Sequence, residues 1–160
     1  MQTSEQKLVD ALRARGLTLA LAESCTGGGV AMRVTSVPGA SDVFLGGVVC
    51  YANAVKRDML GVPQEILDRD GAVSAPCAVA MAEGVRKKLG ADIAVSVTGI
   101  AGPGGGTPQK PVGLVFIGIS TPSHTHADRH VFSGDRHAIR QQAADAALAT
   151  AFLLATDFTA

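Results

Sequence analysis

The side chains that could do chemistry gather first around residue 25, where Ser24, Cys25 and Thr26 run directly into Gly27, Gly28 and Gly29. A strand that turns into a helix through Ser, Thr and glycine can aim backbone N–H groups at an anion. The ordinary alternative is a helix cap, with the Ser24 or Thr26 hydroxyl accepting from the first turn. Ser24 lies in Ala22-Glu23-Ser24-Cys25-Thr26, which is not the G-x-S-x-G elbow of the α/β-hydrolases. Cys25 offers a thiol nucleophile, although a buried, inert thiol is the commoner role for cysteine. Tyr51 and Lys56 stand five apart, which is not the Tyr-x-x-x-Lys spacing of short-chain dehydrogenases. A lysine beside a strand end acts as a general base where desolvation or another cation lowers its pKa. By residue type alone, Lys56 reads as a solvated helix position.

A second candidate is the loop from Gly99 to Gly113, with Gly102, Gly104, Gly105 and Gly106 inside it. No Gly-Lys-Ser/Thr follows, so it is not a Walker A loop. Pro103, Pro108 and Pro111 keep a helix from opening there, so it is not a dinucleotide fingerprint either. Glycine permits close backbone approach and proline limits wandering, so the loop reads either as a surface connection or as a ligand-shaping segment carrying Lys110. The four histidines (His124, His126, His130 and His137) have no nearby carboxylate triad and no cysteine partner in sequence. They read as polar surface positions, and no metal site is expected.

Charge narrows the partner classes. Lys plus Arg is 14 and Asp plus Glu is 14, so no electrostatic reason exists to expect nucleic acid or an anionic membrane. Three cysteines without C-x-x-C spacing fit neither a disulfide framework nor a zinc ribbon. Residues 1–15 carry charges throughout and have no apolar signal core. The apolar run 143–155 is too short to span a membrane and contains Asp145. The expectation is a single cytoplasmic domain over residues 1–160. Its 19 glycines, about 12% against a usual value near 7%, are clustered rather than spread, which asks for a local reason.

The elements that must position these residues follow from periodicity. Residues 5–15, 28–36, 52–60, 63–69, 75–89 and 135–155 read as helices, with Ser74 as an N-cap and Gly90 as a stop. Residues 17–22, 93–97 and 114–119 read as apolar, buried strands, 44–51 as a strand carrying Val48 and Val49, and 126–132 as an edge or half-exposed strand. That alternation predicts a three-layer α/β/α sandwich around a mostly parallel, mixed sheet. Ligands of such folds bind beyond the carboxyl ends of the strands. Ser24 to Gly28, Tyr51 to Asn53, and Thr98 with Gly99 all fall there.

Ala22-Glu-Ser-Cys-Thr-Gly-Gly28, Gly46-Gly-Val-Val-Cys-Tyr-Ala-Asn53-Ala-Val-Lys56, Thr98-Gly-Ile-Ala-Gly-Pro-Gly104, Lys110-Pro-Val-Gly113 and Phe132-Ser-Gly-Asp-Arg136 with Arg140 together resemble the CinA C-terminal domain family. The likeness runs along nearly the whole chain. It implies a stand-alone amidase of the PncC type, which converts nicotinamide mononucleotide to nicotinate mononucleotide and ammonia without metal or cofactor. Ser24 would be the nucleophile and Lys56 its base, with Tyr51 relaying a proton or holding the pair. The backbone of Cys25, Thr26, Gly27 and Gly28, or the Thr98–Gly99 turn, would bind the oxyanion. Asn53 belongs to the same substrate-binding set. Gly102, Gly104, Lys110, Arg136 and Arg140 are candidates for the phosphate. Two positions depart from the pattern: Ala54 and Gln109 stand where many members carry glutamate. A non-catalytic nucleotide-binding protein linked to competence or DNA damage is the alternative. A homo-oligomer is expected because such assemblies are common.

Overall fold

The computed structural model describes residues 1–159. Five strands form one mixed sheet in the order β2-β1-β3-β4-β5. They are β1 (Leu19–Glu23), β2 (Phe44–Val49), β3 (Ile93–Gly99), β4 (Leu114–Ser120) and β5 (Thr125–Val131). Parallel pairing joins β1 to β2 and to β3, while β4 pairs antiparallel with β3 and β5 antiparallel with β4. Helices α1 (Ser4–Arg15), α2 (Gly29–Thr35) and α6 (Arg136–Asp157) cover one face of the sheet. The other face carries α3 (Asn53–Leu60), α4 (Gln64–Arg69) and α5 (Ala75–Leu89). The expected sandwich is therefore present, with element limits shifted by a few residues.

The two faces differ in side-chain size, and the sequence shows why. Leu19 and Leu21 of β1, with Ile93, Val95 and Val97 of β3, point towards α1, α2 and α6. Ala20, Ala22 and Ala94 point the other way, towards α5. Small residues there let α5 lie close against the sheet. The Ser96 hydroxyl donates to the Ala78 carbonyl of α5 at 2.6 Å. α5 is capped by Ser74, whose hydroxyl accepts from the Cys77 N–H, and it ends at left-handed Gly90. On the opposite layer, Arg33 of α2 reaches Glu5 of α1 at 3.1 Å and Asp145 of α6 at 2.6 Å, so one side chain ties three helices together.

The chain leaves β1 through α2 towards β2, on one side. It leaves β3 towards β4, on the other. The strand order therefore reverses between β1 and β3, and a crevice opens beyond their carboxyl ends. Ser24 follows β1 there, and its N–H continues the ladder by donating to the Val97 carbonyl at 2.9 Å.

α3 must also be held close, because it carries Lys56. Its last turn packs on α5 at Gly84, where an added Cβ would collide with the Leu60 backbone. Gly84→Ala is expected to push α3 away and to destabilise the protein by about 1–3 kcal/mol, read as a lower urea midpoint.

Candidate active site

Lys56 is the largest fully buried side chain of the protein, with 1% of its surface exposed. The solvated helix position expected from its type is thus corrected. Its position in the first turn of α3 points the chain back over the strand ends. Nζ donates to Ser24 Oγ at 3.1 Å, to the Cys50 carbonyl at 2.9 Å and to the Tyr51 carbonyl at 3.0 Å. An ammonium has three donors, so all three are satisfied. No carboxylate among the described residues pairs with it. The same geometry serves a neutral amine. Two N–H groups then stay on the carbonyls, and the lone pair faces the Ser24 hydroxyl.

The loop that carries Ser24 is held through its carbonyls. Ser24 C=O accepts from Gly27 N–H at 3.0 Å, and Thr26 C=O accepts from Gly29 N–H at 3.0 Å. Arg140 of α6 donates from Nε to Cys25 C=O at 3.0 Å and from Nη2 to Thr26 C=O at 3.2 Å. Among the described residues, the N–H groups of Cys25 and Thr26 find no acceptor. Both residues are buried. Buried, unpartnered N–H groups are rare in folded proteins. Here they flank the serine, where a developing oxyanion would need donors.

Neither Ser24 nor Thr26 caps α2. The helix begins at Gly29 with no side-chain bond from its N-cap residue, Gly28. Its free N–H groups go instead to the buried carboxylate of Glu23, with Val30 N–H at 2.9 Å and Ala31 N–H at 3.0 Å. The last residue of β1 thus clamps the start of α2, and the loop carrying Ser24 is fixed at both ends. Sequence reasoning missed Glu23. Its signal was an acidic residue at the end of an apolar strand, directly before the glycines.

These groups border a cleft of about 220 Å³, lined by Ser24, Cys25, Tyr51, Asn53, Lys56, Thr98, Gly99 and Arg136 among others. Thr98 donates its hydroxyl to the Ala72 carbonyl at 2.8 Å, which fixes the opposite wall. Tyr51 does not hold the pair through its phenol. Its backbone carbonyl binds Lys56, while its hydroxyl, on a largely exposed ring, accepts from Arg136 Nη2 at 3.2 Å. Arg136 Nη1 donates to the Gly102 carbonyl at 2.8 Å, so one guanidinium joins the glycine loop to Tyr51 at the mouth of the cleft.

Other expected contributors lie elsewhere. Thr26, Gly27, Gly28, Gly102, Gly104, Lys110 and Arg140 do not line the cleft, and Thr26 and Arg140 border a separate cavity of about 200 Å³ instead. Lys110 donates its Nζ to the Asp70 carbonyl. Gly102 and Gly106 are demanded by the loop's own packing on Val112, where an added Cβ would collide. The Cys25 thiol is buried, and desolvation pushes its pKa up to about 11. It is a wall of the site and not a thiolate at neutral pH. His126 bonds Asp128 at 2.8 Å on the exposed edge strand. Among the described residues no three His, Cys, Asp or Glu side chains gather as a metal site, and no helix is long and apolar enough to cross a membrane.

The fold and site define a three-layer α/β/α protein with a buried serine–lysine pair at the switch point of its sheet. A sequence model of the CinA C-terminal domain matches residues 1–154, and the chain belongs to that family. The CinA-like protein of Thermotoga maritima is 53% identical over 144 residues, 90% of this chain and 35% of that protein. The CinA-like protein of a Synechococcus strain is 57% identical over 126 residues, 78% of this chain and 30% of its own length. The chain thus spans about a third of the curated relatives it matches. The crystal structure of competence damage-inducible protein A from Klebsiella pneumoniae superposes with a TM-score of 0.93 at 34% identity, covering 98% of this chain and 97% of that one. A competence/damage inducible protein from Agrobacterium tumefaciens gives 0.92 at 39% identity, covering 94% and 93%.

The raised thiol pKa has a stability consequence. The ordinary value is 9.0, and the folded values of Cys25 and Cys77 are about 11, both set first by burial. The folded state therefore keeps these protons after the unfolded chain releases them, and stability falls as pH rises from about 9 to 11. Thermal midpoints measured across that range should drop, and drop less in Cys25→Ala. Iodoacetamide at pH 8 should label Cys25 far more slowly than it labels a free thiol.

Proposed function

We propose that this protein is a metal-independent serine amidohydrolase, and that its substrate is the carboxamide of nicotinamide mononucleotide. The observation that carries the reading is the buried contact between Lys56 Nζ and Ser24 Oγ at 3.1 Å. A serine hydroxyl needs an adjacent base to attack an amide, and a buried lysine is one of the known solutions. The choice of a nicotinamide nucleotide rests on the family resemblance of the Ser24, Tyr51–Lys56 and Thr98 segments.

The reaction runs in two halves. Lys56, as the free amine, takes the Ser24 proton while Oγ bonds to the carboxamide carbon. The carbonyl oxygen becomes an oxyanion facing the Cys25 and Thr26 N–H groups, each donor worth about 3–4 kcal/mol in the transition state. Lys56 returns the proton to the leaving nitrogen, the C–N bond breaks, and ammonia departs from an acyl-Ser24 ester. Water then attacks the ester, with Lys56 as base again. The carboxylate product leaves and Ser24 recovers its proton. Among the described residues, Lys56 and Arg136 are the only cations lining the cleft. With Lys56 occupied by the chemistry, Arg136 at the mouth is the group for the phosphate, and Asn53 is the neutral polar neighbour.

Ammonia release from nicotinamide mononucleotide tests this directly. Wild type should turn over without added metal and in the presence of EDTA. Ser24→Ala and Lys56→Met should each lose at least about 10³-fold in kcat, with folding intact by circular dichroism, while Cys25→Ala stays active. Full activity in Ser24→Ala, or none in wild type, would overturn the proposal.

A further inference from the structure

Arg140 is the buried-loop contact that the amidase reading leaves without a task. It does not line the cleft, and two of its guanidinium nitrogens are already committed to the carbonyls of Cys25 and Thr26. We propose that Arg140 is a positioning residue for the oxyanion donors. By fixing the Cys25–Thr26 peptide it turns the Thr26 N–H, together with that of Cys25, towards the acyl oxygen on Ser24. This inference rests on the acyl-transfer reading of the Ser24–Lys56 pair.

Peptide geometry carries the argument. In a trans peptide the C=O and the following N–H point in opposite directions across a rigid plane. The one cis bond among the described residues is Gly102–Pro103, so the 25–26 peptide is trans. Arg140 binds the Cys25 carbonyl from the α6 side at 3.0 Å. The Thr26 N–H therefore points away from α6. The neighbouring plane is set in the same manner, because Gly27 N–H holds the Ser24 carbonyl and frees the Cys25 N–H. Both free donors belong to buried residues and have no acceptor among the described residues. The carbonyls of Ser24, Cys25 and Thr26 are thus engaged by the loop itself or by Arg140, while the N–H groups of Cys25, Thr26 and Gly28 have no acceptor among the described residues.

Two further features show that the contact is built in. At Gly27, φ is +59°, and an added Cβ would stand 3.2 Å from Arg140 Nη2, so a side chain at this position would crowd the guanidinium. Arg140 is also carried by a rigid segment. It lies in the second turn of α6, next to buried Ile139, and Asp135 caps the helix by accepting from Ala138 N–H at 2.8 Å. Arg136, one turn earlier, faces the cleft, so adjacent turns of one helix serve the mouth and the nucleophile loop separately.

The test is the rate at which a fluorophosphonate labels Ser24, with steady-state kinetics beside it. In labelling, Oγ attacks phosphorus, fluoride leaves, the proton passes to Lys56, and the phosphoryl oxygen occupies the oxyanion site. No knowledge of the natural amide is needed. Wild type should label at Ser24, and Arg140→Ala should label about 10²-fold more slowly. Arg140→Lys, which keeps a donor and a charge, should fall between them. With nicotinamide mononucleotide and with its phosphate-free riboside, Arg140→Ala should lose kcat while KM stays within about twofold. Millimolar guanidinium should restore part of the rate in Arg140→Ala and none in wild type. Gly27→Ala should show a milder loss of the same kind.

Equal labelling of wild type and Arg140→Ala would overturn the inference and leave the serine–lysine reading standing. A rise in KM confined to the phosphorylated substrate, with kcat kept, would overturn it in favour of a phosphate ligand. Absence of labelling in wild type would overturn the serine–lysine reading itself, and this inference with it.

Discussion

Burying the amino group of Lys56 is the constraint on which the rest of the structure depends. An ion removed from water without partners costs several kcal/mol, so its donors must all be met by fixed acceptors. Two of these are backbone carbonyls just beyond β2, at Cys50 and Tyr51, and the third is Ser24 Oγ. The carbonyls are placed by the sheet, since Cys50 N–H donates to the Glu23 carbonyl at 2.9 Å. The serine is placed by β3 through the Val97 carbonyl. The lysine is placed by α3, which can sit low only because α5 presents Gly84 to it. Sheet, helix packing and the Lys56–Ser24 contact are consequently one arrangement, and loosening any of them moves Nζ from Oγ.

The electrostatics of the site rest on dipoles more than on charges. Glu23 is spent on the N–H groups of α2 and Arg140 on two loop carbonyls. In the proposed reaction the N–H groups left without an acceptor beside the serine serve the substrate, in buried surroundings where such dipoles act strongly. A site of this kind fits a neutral carboxamide that becomes an anion only as it reacts. The cationic Arg136 at the mouth is kept apart from that centre, on Tyr51 and Gly102.

Much of this was legible in the sequence where a local rule was strong. Apolar strands alternating with capped helices define the sandwich, and Ser74 and Gly90 mark α5 correctly. The resemblance then gathers Ser24, Lys56 and Thr98 at one place. What was not legible depends on contacts distant in sequence. The burial of Lys56 follows from acceptors just beyond β1 and β2 that no periodicity announces. Thr26 looks like a cap but leaves its hydroxyl unpartnered, because Glu23, seven and eight residues before its targets, reaches the helix start first. Tyr51 contributes its carbonyl where its phenol invites attention. The glycines split by local geometry: Gly27 leaves room for Arg140, whereas Gly102 and Gly106 accommodate Val112. Composition cannot separate these two uses.

Rapid-quench mass spectrometry of the wild-type protein mixed with nicotinamide mononucleotide tests the central claim most directly. Within the first turnover the peptide containing Ser24 should gain the mass of the substrate less ammonia, and the Lys56→Met protein should show no such gain. The same adduct on Cys25, or ammonia release with no adduct on Ser24 during that first turnover, would contradict the account.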